Sequence, residues 1–173
     1  TRCAFYAALE RLSARYSTRI VCVWQGEKAA AEQWRIAPAE ILTVIENGVD
    51  IPAHSHGASD RARTRTRYGL KEDELVVGMI GRFMTQKGHR YLIEAAQSVC
   101  ERLSGVRFLL VGDGEFKDDI RRMIRERGME ERFLLEAQCE EVYTCLAALN
   151  IFVLPSLWEG MPYSLLEAMG SGR

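Results

Sequence analysis

Two glutamates, Glu159 and Glu167, are spaced for work on hydroxyl-rich ligands. In the stretch Glu159-Gly160-Met161-Pro162-Tyr163-Ser164-Leu165-Leu166-Glu167, the first carboxylate stands just before a helix and the second lies inside it. An ionised carboxylate accepts hydrogen bonds at both oxygens, so each can hold vicinal hydroxyls of a sugar or ribose. Negative charge close to a helix start is also favoured by the helix dipole. The same residues fit a capping box, Ser164-x-x-Glu167, with Glu159 in a solvated loop, and spacing alone leaves both readings open.

A second chemical segment is Gly81-Arg82-Phe83-Met84-Thr85-Gln86-Lys87-Gly88, which joins a strand to a helix. Free amides at a helix start attract anions, and here two cations and two glycines accompany them. The order Gly-Lys-Ser/Thr is absent and Lys87 precedes its glycine, so this is not a Walker A loop. Arg grips phosphate oxygens bidentately and Lys supplies a mobile charge, a combination that neutralises a departing diphosphate. Taken alone, the loop equally fits a surface Arg and Lys beside a tight turn. Val111-Gly112-Asp113-Gly114-Glu115 reads first as a tight strand-to-helix turn with Asp113 as a helix cap, and second as a close backbone approach for a ligand. His54 and His56 lack a third ligand nearby and read as surface residues. His89 reads as an exposed helix residue within reach of phosphate. Arg61, Arg63, Arg65 and Arg67 read as part of a solvated linker, with contact to anionic lipid as the alternative.

The elements that must position these residues follow from periodicity. Phe5, Leu9, Leu12 and Tyr16 recur at helical spacing, Thr18 to Trp24 and Ile41 to Ile45 are short strand-like runs, and residues 26–34 form a short helix between them. Pro38 can open a helical turn, and Asn47-Gly48 signals a reversal. Residues 52–67 show no apolar period and mark a boundary. Strand-like runs then begin at Leu75, Val106, Arg132 and Ile151, and each is followed by an apolar helical stripe: Tyr91 to Leu103, Phe116 to Ile124 with Gly128 as its C-terminal cap, Val142 to Leu149, and Pro162 to Met169. Such alternation implies a doubly wound α/β fold with a parallel sheet, whose ligands bind beyond the carboxyl ends of the strands.

Composition narrows the function classes. The 173 residues correspond to one domain, or one and a part, at roughly 100–200 residues per domain. Lys plus Arg (23) against Asp plus Glu (24) gives a net charge of −1, which argues against nucleic acid as a partner. No apolar run approaches the about 18 residues of a membrane span. The five cysteines are odd in number and form no Cys-x-x-Cys pair, which suits reduced thiols and a cytoplasmic setting.

In combination, Asn47-Gly48-Val49-Asp50, Gly81-Arg82-x4-Lys87-Gly88, Val111-Gly112-Asp113-Gly114, Pro155-Ser156-x-x-Glu159-Gly160 and the Glu159-x7-Glu167 pair carry a resemblance. Over about residues 18–170 the chain resembles the retaining, nucleotide-sugar-dependent glycosyltransferases of the GT-B fold, group 1 or family 4. It departs from the common pattern at Glu46, Leu135 and Asn150, where the family usually has Pro, Gly and Asp. Leu135 narrows the approach to the base.

The resemblance implies a Rossmann-like half of a GT-B fold. Residues 1–48 would be the C-terminal part of the acceptor-side Rossmann domain, and 49–173 the nucleotide-sugar donor-binding domain, truncated at its C-terminus. Arg82 and Lys87, beside Gly81, would hold the donor diphosphate and stabilise its developing charge. Glu159 would contact the transferred hexose with the Gly160 and Met161 amides, while amides near Tyr163 and Ser164 would meet phosphate. Glu167 would hold the ribose, and Ala137 would lie near the base. No metal and no protein nucleophile are implied. The acceptor would be a glycan or a lipid-linked precursor, with the enzyme at the inner face of the membrane and this segment inactive by itself. The competing reading is a non-catalytic module that binds nucleotide or phosphosugar and acts only with a partner domain. A flavodoxin-like regulatory domain would need an acidic cluster where the chain has Arg82.

Overall fold

The computed structural model describes residues 2–51, 58–137 and 141–173. The chain divides into two compact units, Thr1–Gly48 and Val49–Arg173. In the first, α1 (Arg2–Ala14), β1 (Ile20–Cys22), α2 (Gln25–Gln33) and β2 (Leu42–Val44) follow one another. The strands pair in parallel, with Ile20 opposite Leu42 and Cys22 opposite Val44. Both strands are shorter than the apolar runs suggested, because Trp24 already serves as the N-cap of α2 and a 3-10 turn over Ala39–Ile41 precedes β2. On α1 the small residues Ala7 and Ala14 are buried, while Phe5, Leu9 and Leu12 are exposed, as is Tyr16 just beyond its end.

The second unit holds a four-stranded parallel sheet of β3 (Leu75–Ile80), β4 (Val106–Val111), β5 (Phe133–Glu136) and β6 (Ile151–Phe152), in the order β5-β4-β3-β6. β3 and β4 align from Leu75 opposite Val106 to Ile80 opposite Val111. Both faces of the sheet are covered, so its strands read as continuous apolar runs rather than alternating ones. Val77, Met79, Phe108 and Leu110 pack with Leu92, Ile93, Ala96, Ile120 and Ile124 of α4 (His89–Arg102) and α5 (Lys117–Glu126). Val76, Leu109 and Val111 pack on the other side with Tyr68, Leu70, Leu146, Leu149 and Ala168. That second layer contains α3 (Ala58–Arg67), α6 (Val142–Ala148) and α7 (Tyr163–Gly170).

Helix α3 corrects the linker reading, of which residues 52–57 lie outside the described residues. Arginines at every second position look like a solvated run, but on a helix they sort into two pairs spaced i,i+4. Arg63 and Arg67 face solvent, whereas Arg61 and Arg65 turn inward. Arg61 donates to the carbonyls of Ala147 and Leu149, at the C-terminus of α6. Arg65, 1% exposed, donates to the carbonyls of Lys71, Glu72, Glu74 and Ala148 and to Asn150 Oδ1. Asn150 Oδ1 also accepts from the Val76 amide, so the guanidinium ties α3, the approach to β3 and the α6–β6 corner together. Arg65→Met strands these buried acceptors, and an expected loss of about 3 kcal/mol is measurable as a lower urea midpoint.

The cysteine reading is also amended. Cys22 and Cys100 are free, but Cys145, in the α6-side core, is disulfide-bonded. Among the described residues no helix is long and apolar enough to cross a membrane, and no cluster of acidic, His and Cys side chains is arranged to hold a metal ion.

Candidate functional site

The strand order reverses direction between β3 and β6, because β4 and β5 were added on one side of β3 and β6 on the other. Loops leaving the carboxyl ends of two such strands part to opposite faces and leave a crevice between them. The two loops are residues 81–88 and 153–162, so the topology brings the cationic segment and the first glutamate to one place.

Lys87 and Glu159 meet there, with Nζ 2.7 Å from Oε1 and side chains only 17% and 20% exposed. The stem of Lys87 runs across Gly81, where a Cβ would stand 3.6 Å from its Cδ and Cε. Further contacts bind the two loops together. The Leu157 amide donates to the Gln86 carbonyl at 2.8 Å, and Gln86 Nε2 donates to the Trp158 carbonyl at 2.8 Å. Gly88 has φ +71°, and a Cβ on it would lie 2.0 Å from the Pro155 carbonyl oxygen, so only glycine fits the turn and the approach together. Arg82 is exposed and forms no ion pair with an acid among the described residues, leaving its guanidinium open to an anion.

On α7 the N-cap is Pro162, with no side-chain cap. Ser164 therefore sits inside the first turn, and the capping box that its spacing to Glu167 permitted is not built. The Pro162 carbonyl takes the amides of Leu165 and Leu166, and Tyr163 and Ser164 begin the helix directly after the loop of Gly160 and Met161. Glu167 lies one turn further on. Its carboxyl is half-buried, pushed up by that burial, and meets no hydrogen-bond donor or cation among the described residues. A carboxylate placed so, without a structural partner, is a feature of sites that await a ligand.

The remaining candidates are distributed as follows. Ala137 is exposed at the end of β5, two strands from β3 and hence about 10 Å along the sheet edge. Gly112, at φ +152°, is a tight turn: a Cβ would lie 2.0 Å from the Gly81 carbonyl, and its amide donates to the Glu136 carbonyl. Asp113 does not cap α5 with its side chain. It accepts from the Gly114 amide at 2.9 Å and pairs with Lys117 at 3.2 Å, and these contacts, the amide first, hold its carboxyl below the usual range. His89 is neither exposed nor a phosphate-facing cation. It is 4% exposed and edge-on to Phe83 at a centroid distance of 4.9 Å, and burial, helped by Lys87, lowers its pKa to about 4. It lines a cavity of about 430 Å³ with Met84, Phe116 and Met123 on the α4–α5 side, apart from Arg82, Lys87, Glu159 and Glu167. His54 and His56 lie outside the described residues. Gln86 escaped the sequence reading, since a lone polar residue between two notable ones carries no periodic or charge signal.

Residues 60–172 match the model for "Glycosyl transferases group 1". The chain belongs to that family. Among curated members, the UDP-Gal:alpha-D-GlcNAc-diphosphoundecaprenol alpha-1,3-galactosyltransferase of Escherichia coli is 33% identical over 170 residues, covering 96% of this chain and 44% of the relative. The 2-deoxystreptamine glucosyltransferase of Streptomyces kanamyceticus is 26% identical over 168 residues, 95% of this chain and 43% of its own length. The chain therefore spans less than half of each. Among solved structures, Anabaena Alr3699/HepE in complex with UDP and glucose superposes with a TM-score of 0.86 at 24% identity, over 98% of this chain and 47% of that one. The same protein in complex with UDP gives 0.81 at 26% identity, over 94% and 45%. The fold is thus the Rossmann-like half of a GT-B glycosyltransferase.

Proposed function

We propose that Val49–Arg173 is the donor-binding domain of a retaining glycosyltransferase that moves a hexose from a nucleoside diphosphate sugar to a glycan or lipid-linked acceptor. Thr1–Gly48 then belongs to the acceptor-side Rossmann domain. The observation that carries the reading is the Lys87–Glu159 contact at the strand-reversal crevice, between the loop that also bears Arg82 and the loop that leads into α7, with Glu167 on that helix meeting no donor or cation among the described residues. Arg82 and Lys87 hold the diphosphate. Glu159 takes sugar hydroxyls, assisted by the Gly160 and Met161 amides. The Tyr163 and Ser164 amides add hydrogen bonds to phosphate. Glu167 receives the ribose hydroxyls, and Ala137 borders the base, a reach that matches a nucleoside lying across the ends of β3, β4 and β5.

In the reaction, the anomeric C–O bond to the diphosphate breaks and its electron pair stays on the phosphate oxygen. The acceptor hydroxyl attacks from the same face and gives its proton to that oxygen, so configuration is retained. Positive groups aimed at the leaving oxygen stabilise the charge as it develops. The charge is carried by Arg82, Lys87 and the helix start rather than by a metal ion or cofactor.

The acceptors in the names of the two relatives differ, a diphosphoundecaprenol-linked GlcNAc in one and 2-deoxystreptamine in the other, although both align along this chain. Acceptor choice is accordingly assigned to the rest of the protein. A cytoplasmic enzyme working at the inner membrane face fits a lipid-linked acceptor, but the Arg61–Arg67 run gives that contact little support, since Arg61 and Arg65 are spent on backbone carbonyls.

Calorimetric titration of the full-length protein with UDP-, GDP- and ADP-sugars tests the reading. One of them is expected to bind, with affinity reduced in both Lys87→Ala and Glu167→Ala. Absence of binding by all three, or indifference to both substitutions, overturns it.

A further inference from the structure

We infer that Gln86 is a positioning residue for sugar recognition, acting through the peptide that carries Glu159. The inference rests on the proposed donor site and names what sets its sugar end. Glu159 lies on an irregular loop with no helix or strand to orient it, between β6 and α7. A carboxylate must be placed to within a fraction of an ångström to accept two hydroxyls of one sugar, and loops hold that precision only when tied to rigid neighbours.

The ties here come from the β3–α4 turn. Gly88 packs against the Pro155 carbonyl, the Gln86 carbonyl receives the Leu157 amide, and the Gln86 side-chain amide donates to Trp158. The last of these contacts the residue directly before Glu159. Its acceptor, the Trp158 carbonyl, belongs to the peptide unit that supplies the Glu159 nitrogen, so the bond fixes the rotation of that unit. Lys87 restrains the far end of the same side chain. Glu159 is therefore gripped at both ends by consecutive residues of one 3-10 turn, Thr85–Lys87, and the turn that places the diphosphate cation also aims the sugar carboxylate.

This arrangement separates two roles. Lys87 faces the diphosphate and also holds Glu159, so its loss weakens the nucleoside diphosphate as well as the nucleotide sugar. Gln86 acts only through Glu159, so its loss weakens the contribution of the sugar alone. Gln86→Met keeps the length of the side chain and the Leu157-to-Gln86 backbone bond, and deletes only the donated hydrogen bond.

The experiment compares UDP with UDP-glucose and UDP-galactose, and the GDP and ADP counterparts, binding to the full-length wild type and to Gln86→Met, with thermal unfolding of both proteins. Without that bond the peptide carrying Glu159 must be ordered when the sugar binds, with an expected rise of about five- to tenfold in the Kd of the nucleotide sugar. The Kd of the matching nucleoside diphosphate is expected to stay within about twofold and Tm to fall by no more than a few degrees, the cost of one exposed bond. Equal weakening of both ligands, or a lower Tm with both weakened, shows a structural role for the turn and overturns the inference. Unchanged affinity for both ligands overturns it as well. If the wild type binds the nucleoside diphosphate but gains nothing from the sugar, the assignment of Glu159 fails and the inference fails with it. If the wild type binds neither, the donor reading itself is at fault.

Discussion

Lys87→Ala in the full-length enzyme is expected to lower kcat/KM about 100- to 1,000-fold, the usual cost of removing one preorganised donor to a developing negative charge. Two effects are combined in that number, and the Lys87–Glu159 pair allows them to be separated. The Lys87 ammonium is paired with Glu159 at 2.7 Å. A diphosphate entering the crevice competes for the same ammonium, which has three protons to share. Removing Lys87 thus deprives the leaving group of a cation and also leaves Glu159, four-fifths buried, without its partner. Because a fifth of each side chain remains in contact with solvent, the stability cost is modest, about 1 kcal/mol. Glu159→Gln in the Lys87→Ala background removes the stranded charge. The double variant is expected to regain the stability of the wild type and none of the activity, checked by urea unfolding beside steady-state rates. Recovery of both would mean that Lys87 matters only as the counter-ion of Glu159. Lys87→Arg is also expected to fail in catalysis, since a planar fork cannot follow the stem path across Gly81 and keep the same point charge.

Helices and strands whose apolar residues face one core were legible in the sequence, because their signal is local. β3 and β4 stand out as apolar runs since both faces are buried, and α4 and α5 as stripes since only one is. Gly128, at φ +63°, caps α5 as its position after an amphipathic stripe suggested. What escaped was information held by distant partners. The inward turn of Arg65 depends on carbonyls at Lys71 to Glu74 and at Ala148, none visible to a reading of residues 58–67. Hydrophobic periodicity cannot find a helix whose buried face is paved with arginine and threonine. The capping-box alternative was open in sequence because Ser164-x-x-Glu167 has the right spacing in any frame. The structure decided it by starting the helix at Tyr163, with Pro162 as cap. Likewise, Lys87 and Glu159 were each recognisable as chemistry-bearing residues. Their direct contact required the strand order, since only the placement of β6 beside β3 makes residues so far apart neighbours.

Glu167→Gln is expected to weaken donor binding about tenfold and Glu167→Ala about 100-fold, since hydrogen bonds to a charged acceptor are worth about 1.5–3 kcal/mol each. The glutamine variant is also expected to be more stable than the wild type at neutral pH. Burial raises the Glu167 pKa above its ordinary 4.5, and no cation or donor among the described residues offsets it. A carboxyl with a raised folded-state pKa favours the fold below its unfolded pKa and loses that contribution as pH rises through the folded value. At pH 7 the wild type therefore carries an uncompensated half-buried charge, which glutamine, of the same shape, does not. Urea unfolding should show Gln above wild type at pH 7, with the gap closing as pH falls below 4.5. Ligand affinity follows the opposite course. For the wild type it should rise with pH as Glu167 ionises and becomes a full acceptor for two hydroxyls, then level off, whereas the glutamine variant should lack that rise. A glutamine variant that is less stable at pH 7 and binds donor unchanged would make Glu167 part of the helix framework. Stability gained where binding is lost is the expected mark of a group kept at the cost of the fold for its ligand.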